Sequence, residues 1–366
     1  MDEANAESNR PKMATYTVAF TLGILGLMMA TESFWLNIGI LLLSTGLLIL
    51  SADMFVNAVK IVARRFGMSE LIIGLTIVSI GTSMPEILVG VSSSLEVAAN
   101  GCTPEACASD FALGNIYGSV LVQISLVLGI VVLIHPLEVR PDWLARDGLL
   151  MFLAVIVLTM LILIDAKLDR MEGLILCLVY LMYLLNLIHQ RDNIREDELM
   201  LTGSEVEITP VEMHDYALLA SVVIGLSLAI WSATVLVSSA TTIAEAMSIP
   251  PSFIGATVTA IGTSLPELAV ALTAARHSKG VAIGTLIGSN ITDPLLSIGI
   301  TALVHPVTIG SSDIFFYLII PATIITTGLS LLFMYTDFKF QRWEGGVLVT
   351  CYVIFVGLLI AASNII

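Results

Sequence analysis

Residues 71–86 read LIIGLTIVSIGTSMPE, and residues 252–267 read SFIGATVTAIGTSLPE. The two stretches align without a gap, and each ends in Gly-Thr-Ser, one apolar residue, proline and glutamate. The closing glutamates are Glu86 and Glu267. Two apolar segments that share such a polar ending indicate an internal duplication.

A second pair of matching segments follows these stretches. Residues 114–123 read GNIYGSVLVQ, and residues 284–293 read GTLIGSNITD. Farther along each copy, a His-Pro pair begins at His135 and at His305. Because the matching segments come in the same order, the chain is predicted to contain two repeats. They cover about residues 71–134 and about residues 252–304.

The composition indicates a membrane protein. Hydrophobic residues make up 57% of the 366 residues and charged residues only 12%, whereas soluble domains carry about 25% charged residues. A soluble globule could not bury so much apolar surface, and a disordered chain would be far more polar. The 15 basic and 30 acidic residues argue against a nucleic-acid binder. Cys102 and Cys107 allow one local disulfide or two free thiols.

Apolar runs long enough to cross a bilayer recur along the whole chain, and none alternates as a barrel strand would. The sequence therefore predicts an all-α, polytopic helical bundle of ten core helices with one extra N-terminal helix. The first run is read as a retained span, with a cleaved signal peptide as the alternative. The runs are Ala14–Thr31, Trp35–Val59, Met68–Leu95, Phe111–Ile134, Gly148–Ile164, Met171–Ile188, Tyr216–Ile243, Ser252–Ala275, Val281–Val304, Ile314–Tyr335 and Gly346–Ile360.

The basic residues predict the orientation. If the N-terminus is cytoplasmic, every lysine and arginine except Lys167 and Arg170 falls on the cytoplasmic side, as the positive-inside rule requires. The C-terminus then lies outside, and we expect a multi-pass protein of the plasma membrane. The helix of Glu267 is the fifth crossing after the helix of Glu86, so the two repeats run in opposite directions, as in many secondary transporters.

The predicted organisation has four parts. An N-terminal extension, 1–34, precedes a first half at 35–189, and a second half occupies 216–366. Residues 190–215 hold eight acidic residues and form the longest cytoplasmic loop. This loop is predicted to be a solvated linker, and a calcium-sensing loop is the alternative.

Glu86 and Glu267 point to a cation site. An ionised carboxylate deep in a membrane helix costs at least about 2.5–3.5 kcal/mol on insertion scales. No lysine or arginine lies within a predicted span core, so a bound cation or a proton is the simplest compensation. Permanent protonation of both glutamates is the alternative.

The neighbouring residues supply oxygen ligands. Thr82 precedes Glu86 by one helical turn, and Pro85 lacks the N–H that would otherwise bond the carbonyl of Gly81. In the second segment pair, Ser119 and Gln123 share a helical face, as do Ser289 and Asp293. Carboxylate, amide, hydroxyl and carbonyl oxygens are hard ligands, which suit calcium, sodium or magnesium.

These paired motifs resemble the alpha repeats of the cation/calcium exchanger superfamily, most closely its sodium/calcium exchanger branch as found in prokaryotes. The resemblance covers residue 35 to the C-terminus. It implies ten helices in two inverted halves and a secondary antiporter, not an enzyme, that needs no cofactor. In that family, sodium influx drives calcium efflux by alternating access.

The resemblance also implies roles for individual residues. Glu86 and Glu267 would bind calcium, together with the backbone carbonyls of Thr82 and Thr263. Asp293 and Gln123 would complete the central site. Gln123 departs from the shorter Asn or the Asp that members often have, which affects ion selectivity. Sodium would be bound by Ser83, Ser264, Ser119 and Ser289, with the carbonyls of Ser79 and Ala260 nearby.

Charge counting makes an electrogenic exchange the expectation. Glu86, Glu267 and Asp293 supply at most three negative charges, which three sodium ions would balance, whereas one calcium ion would leave one charge. A proton-coupled cation antiporter is the first alternative, and a cation channel is the second. The expected partners are the lipid bilayer and the two ions. A monomer suffices, because two inverted copies in one chain build one site.

Overall fold

The computed structural model describes residues 34–65, 68–100, 108–165, 167–202, 215–246, 260–308, 314–336 and 338–363. The predicted first span Ala14–Thr31 and the pair Cys102 and Cys107 lie outside these residues. So do residues 247–259, the start of the second repeat.

The described residues are almost entirely helical. Short π-helical stretches interrupt several of the long helices, at Gly74–Val78, Val122–Val127, Leu144–Gly148, Asp293–Ser297 and Phe315–Ile319. Four two-residue strands connect helices: β1 Leu137–Glu138, β2 Lys167–Leu168, β3 Val307–Thr308 and β4 Lys339–Phe340. The α-helices are α1 Phe34–Arg65, α2 Glu70–Ile73, α3 Ser79–Thr82, α4 Met84–Asn100, α5 Ala108–Leu121, α6 Leu128–Ile134, α7 Pro141–Trp143, α8 Leu149–Asp165, α9 Arg170–His189, α10 Arg191–Thr202, α11 Asp215–Ala246, α12 Ala260–Thr263, α13 Leu265–His277, α14 Lys279–Thr292, α15 Ile298–Val304, α16 Ile320–Tyr335 and α17 Arg342–Ser363.

The helices confirm the membrane fold class. Within the described residues, eight helical segments are long and apolar enough to cross a bilayer, and a shorter apolar stretch, Tyr216–Ser232, lies in α11. The predicted total of eleven spans stays a prediction, because parts of the chain lie outside the residues that the structure describes. Part of the acidic loop at 190–215 forms α10, so the linker begins as a helix.

One span begins earlier than predicted. The run assigned to Gly148–Ile164 belongs to a helical segment that starts at Pro141. Proline suits the first turn of a helix, where its missing N–H has no partner to lose. The added turns contain an ion pair in which Arg146 Nη2 lies 2.6 Å from Asp147 Oδ2. Because Asp147 is fully buried and paired, it does not end the helix.

The strands link the two halves at both ends of the bundle. β1 pairs antiparallel with β4, and β2 pairs antiparallel with β3. The spanning segment Pro141–Ile164 separates β1 from β2, so the two strand pairs lie at opposite ends. β1 and β3 follow the two His-Pro pairs and are therefore counterparts in the repeat. Counterparts at opposite ends support the predicted inversion.

Two glycine contacts also join the two halves of the chain. A Cβ on Gly129 would lie 2.9 Å from the carbonyl oxygen of Gly345, and a Cβ on Gly173 would lie 2.8 Å from that of Gly299. Gly129 and Gly299 are counterparts, so each repeat places one glycine against a helix of the other half. Small residues let membrane helices approach until their backbones touch.

The centre of the bundle is α14. Every residue from Gly280 to Thr292 is buried. This helix packs on the segment from α2 to α3, where a Cβ on Gly284 would lie 2.8 Å from Gly74 Cα. α1 and α11 pack side by side, and Gly225 lies against the backbone of Phe55. These contacts position the first repeat's GTSMPE segment beside the end of α14.

Candidate ion-binding site

Both GTSxPE segments form broken helices. α3 ends at Thr82 and α4 begins at Met84, with Ser83 as the turn between them. Ser264 forms the same turn between α12 and α13. The proline lies in the first turn of the second helix in each case, where it does not disrupt the backbone bonding. The helix is therefore interrupted at the serine in both repeats, and the free carbonyl predicted for Gly81 stays a prediction.

The turns place both glutamates at helix N-termini. Glu86 lies in the first turn of α4, and Glu267 lies in the first turn of α13. The helix dipole at these positions favours negative charge. A broken helix in the membrane thus lowers the cost of an ionised carboxylate.

Three carboxylates are buried in one region of the protein. Glu86, Glu267 and Asp293 are each 0% exposed. They lie close enough for electrostatic repulsion between them. In the described ranges, no three carboxylate, imidazole or thiol groups converge on a single point as in a resident metal site. Hydroxyl, amide and carbonyl oxygens would therefore have to complete the coordination of any ion.

Ser119 joins the two repeats beside Glu86. Its Oγ lies 3.3 Å from Glu86 Oε1 and 3.2 Å from Thr263 Oγ1. Glu86 Oε2 is buried without a hydrogen-bond partner. One residue from the second repeat and two from the first therefore meet here, as the duplicated motifs predict.

Glu267 has the strongest need for a ligand. Both of its carboxylate oxygens are buried without a hydrogen-bond partner, and so are the hydroxyls of Ser83 and Ser264 at the two helix breaks. A buried charge is costly unless it is paired or coordinates a metal. The unpartnered oxygens at the two breaks are ligands of the kind that a sodium or calcium ion binds.

Asp293 is held by neutral donors. Gln123 Nε2 donates to Asp293 Oδ2 at 3.0 Å, and Ser297 Oγ donates to Asp293 Oδ1 at 3.1 Å. Gln123 and Asp293 each lie in a π-helical stretch, a feature that often marks functional sites. Because the amide nitrogen faces Asp293, the buried Gln123 Oε1 remains without a partner and can accept a cation.

A hydroxyl cluster lies beside this pair. Thr292 Oγ1 is 3.3 Å from Ser79 Oγ and 3.0 Å from the hydroxyl of Tyr180. Ser79 is a predicted residue, through its carbonyl, whereas Thr292, Tyr180 and Ser297 were not predicted. Ser297 could have been found, because it lies one helical turn after Asp293. Tyr180 has no counterpart in the repeated motifs and gave no such signal.

Other predicted residues bond within their own helices. Ser289 Oγ donates to Thr285 O at 2.7 Å, and Thr82 Oγ1 donates to Val78 O at 3.1 Å. Thr263 Oγ1 donates to the carbonyl oxygen of Ala260 at 3.3 Å. The structure thus brings Glu86, Ser119 and Thr263 together and joins Gln123 to Asp293, and it places the Ser289 hydroxyl on a carbonyl of α14.

Comparison with known proteins gives one consistent answer. The family model described as sodium/calcium exchanger protein matches residues 36–189 and 217–361. The chain is 29% identical to the sodium/calcium exchanger MaX1 of Methanosarcina acetivorans, over 88% of this chain and 98% of that protein. It is 36% identical to the inner membrane protein YrbG of Escherichia coli, over 72% of this chain and 79% of that protein.

A solved structure matches the fold over nearly its full length. It is the sodium-calcium exchanger NCX_Mj soaked with 100 mM Na+ and 10 mM Sr2+, with a TM-score of 0.71 and 29% identity. The match covers 89% of this chain and 99% of that one. The family model spans both halves, and the fold agrees with an exchanger of that kind; the chain belongs to the sodium/calcium exchanger family.

Proposed function

We propose that this chain is a secondary antiporter that exchanges sodium for calcium at the buried carboxylates. The observation that carries the proposal is the set of unpartnered oxygens on Glu86 and Glu267, which lie at two helix breaks within the membrane fold. The names of the relatives and of the structural match support the same pair of ions.

The two glutamates are assigned to calcium. Each lies in the first turn of a helix, and the threonine four residues earlier, Thr82 in one repeat and Thr263 in the other, is assigned to calcium through its backbone carbonyl. The serines are assigned to sodium. They are Ser83, Ser264, Ser119 and Ser289, with the carbonyls of Ser79 and Ala260.

Asp293 and Gln123 are assigned to the centre. Asp293 would bring the site to three negative charges, and its Gln123 partner adds none. Three sodium ions would neutralise this set, and one calcium ion would leave a charge of minus one. Three sodium ions and one calcium ion carry different charges and compete for the same oxygens. We therefore predict that binding of one load excludes the other, and that each exchange cycle moves net charge.

The orientation proposed from the sequence is supported by the ends of the bundle. Glu138 lies 3.4 Å from Lys339 Nζ and 3.9 Å from Lys279 Nζ, so these bases share one end. Arg170 lies at the other end, where its Nη2 donates to Val304 O. We assign the end with Lys339 and Lys279 to the cytoplasmic side of a plasma membrane. The N-terminus is then cytoplasmic and the C-terminus is outside.

Calcium flux tests the function. Purified protein in vesicles should take up calcium only when an opposing sodium gradient is present, and uptake should carry a current. Uptake that follows pH and ignores sodium would instead indicate proton coupling, and uptake that follows voltage alone would indicate a channel. Sodium-driven uptake without net charge movement would exclude the three-for-one exchange.

A further inference from the structure

The hydroxyl of Tyr180 bonds the residue that precedes Asp293. Tyr180 lies in α9 and is 2% exposed, and its hydroxyl oxygen is 3.0 Å from Thr292 Oγ1. Thr292 donates its own proton to the carbonyl oxygen of Gly288 at 2.8 Å. The Thr292 oxygen therefore accepts in the bond with Tyr180, and the Tyr180 hydroxyl is the donor.

The same threonine contacts the first repeat. Ser79 Oγ lies 3.3 Å from Thr292 Oγ1, and the Tyr180 hydroxyl lies close to Ser79 as well. A Cβ on Gly288 would lie 2.9 Å from Ser79 Cβ, so the backbone of α14 directly contacts this serine. Tyr180 thus joins α9 to one residue from each repeat, at a point where the two repeats touch.

These two residues stand at the ends of π-helical stretches. Thr292 precedes the stretch Asp293–Ser297, and Ser79 follows the stretch Gly74–Val78. A π-helical turn holds more residues than an α-helical turn, so it changes where the neighbouring side chains and carbonyls point, and such turns are frequent at functional sites. A contact that holds one end of each stretch therefore helps to fix the positions of Ser79 and Asp293.

Ser79 and Asp293 both belong to the proposed sodium load. The carbonyl of Ser79 is assigned to sodium, and Asp293 supplies the third of the negative charges that three sodium ions would balance. The two glutamates assigned to calcium are placed by other contacts. Glu86 is bonded by Ser119, and neither carboxylate oxygen of Glu267 has a hydrogen-bond partner within the described part of the chain. The contact of Tyr180 with Thr292 and Ser79 thus concerns the sodium ligands.

We propose that Tyr180 is a positioning residue that sets the sodium affinity of the exchanger. Its hydroxyl holds Thr292 against Ser79, so the Ser79 carbonyl and the Asp293 carboxylate are in place before sodium binds. A preorganised site loses less free energy to ordering when its ligand arrives. This inference rests on the proposed exchange function. It goes beyond that function because it assigns a role in sodium binding to a residue outside the two repeats.

Titration with each ion alone tests the proposal. The melting temperature of the purified protein is followed while sodium chloride replaces choline chloride at constant ionic strength, and separately while calcium is added without sodium. Tyr180→Phe removes the hydroxyl and keeps the ring. It should raise the sodium concentration for half-maximal stabilisation about two- to tenfold, the range for one lost hydrogen bond. The corresponding calcium concentration should not change.

Tyr183→Phe is the matched control. Tyr183 lies one turn farther along α9 and is also buried, and its hydroxyl donates to Asp147 Oδ1 at 3.1 Å. Loss of this hydroxyl should leave both half-maximal concentrations unchanged. A purely structural effect of removing a buried hydroxyl from α9 would appear in both variants.

Thr292→Val removes the acceptor of the same bond and should also raise the half-maximal sodium concentration. In the double variant with Tyr180→Phe, the rise should be no larger than in Thr292→Val alone, because the two substitutions break one interaction. If Tyr180→Phe cannot be purified, Thr292→Val decides with the same measurement.

Any of four results would overturn the inference: an unchanged sodium value in Tyr180→Phe, equal rises for sodium and calcium, a rise in Tyr183→Phe as large as in Tyr180→Phe, or fully additive rises in the double variant. The proposed function is judged separately, by calcium uptake of the wild-type protein against an opposing sodium gradient. Absence of that uptake would refute exchange, whereas the titrations with single ions report only on the role of Tyr180.

Discussion

Gln123 and Asp293 are counterparts in the two repeats, and they bond each other directly, with Gln123 Nε2 3.0 Å from Asp293 Oδ2. The duplication has therefore produced an amide facing a carboxylate across the centre of the protein. The longer side chain of glutamine suits this contact, since it spans the distance from its own helix to Asp293. The departure from the family pattern noted in the sequence thus has a structural role here.

Shortening this side chain should change ion binding. In Gln123→Asn, the amide is one methylene shorter and loses its bond to Asp293. The half-saturating calcium concentration for sodium-driven uptake should shift about three- to tenfold, since a buried carboxylate loses a donor. Gln190→Asn is the control, because Gln190 bonds Asn186 at the exposed surface. Equal values for wild type and Gln123→Asn would show that the contact does not contribute.

Neutralising either repeat glutamate should stop exchange. Glu86→Gln and Glu267→Gln each remove a charged ligand, a loss of about 3 kcal/mol or more, so sodium-driven calcium uptake should fall at least about a hundredfold. Glu172→Gln is the matched control, since Glu172 accepts from Asp169 N in a capping box that glutamine preserves. Normal uptake by Glu86→Gln would disprove the assigned role of the repeats.

Calcium should stabilise the purified protein. A ligand at one hundred times its dissociation constant adds about 2.7 kcal/mol, so the melting temperature should rise on adding calcium. Glu267→Gln should remove most of this rise. Without calcium, the variant should melt no lower than wild type, because it no longer buries two unpartnered carboxylate oxygens. A full calcium-dependent rise in Glu267→Gln would place the ion elsewhere.

Two glycines offer a paired test of packing. In Gly284→Ala, the new Cβ would lie 2.8 Å from Gly74 Cα, and overpacking of this kind costs about 1–3 kcal/mol. The thermal midpoint should drop accordingly. Gly114→Ala is the control from the equivalent position, where a Cβ meets no atom within 4 Å. If both variants melted alike, the packing of α14 on the segment from α2 to α3 would not be a stabilising contact.

The duplicated motifs made most of the candidate site predictable. Polar residues stand out in an apolar sequence, so Glu86, Glu267 and Asp293 could be selected without coordinates, and helical spacing linked Ser119 to Gln123. The membrane fold class followed from composition and run length for the same reason. Both predictions rest on patterns within single segments.

Contacts between distant segments could not be predicted in this way. Tyr180 reaches Thr292 from a helix with no repeated motif, and Asp147 is compensated by Arg146 in a turn that the apolar pattern had excluded from the span. The π-helical stretches were also missed, because one extra residue in a turn leaves no mark in an apolar sequence. These features depend on which helices pack together.

The two strand pairs set an order for biogenesis. Leu137 pairs with Phe340, a residue made about two hundred positions later, and Leu168 pairs with Val307. When the first half has been synthesised, only one strand of each pair therefore exists, β1 in one pair and β2 in the other. The first half is then in the bilayer with strand backbone groups that have no hydrogen-bond partner yet at either end. We expect the N-terminal half expressed alone to be degraded, and co-expression of the C-terminal half to rescue it.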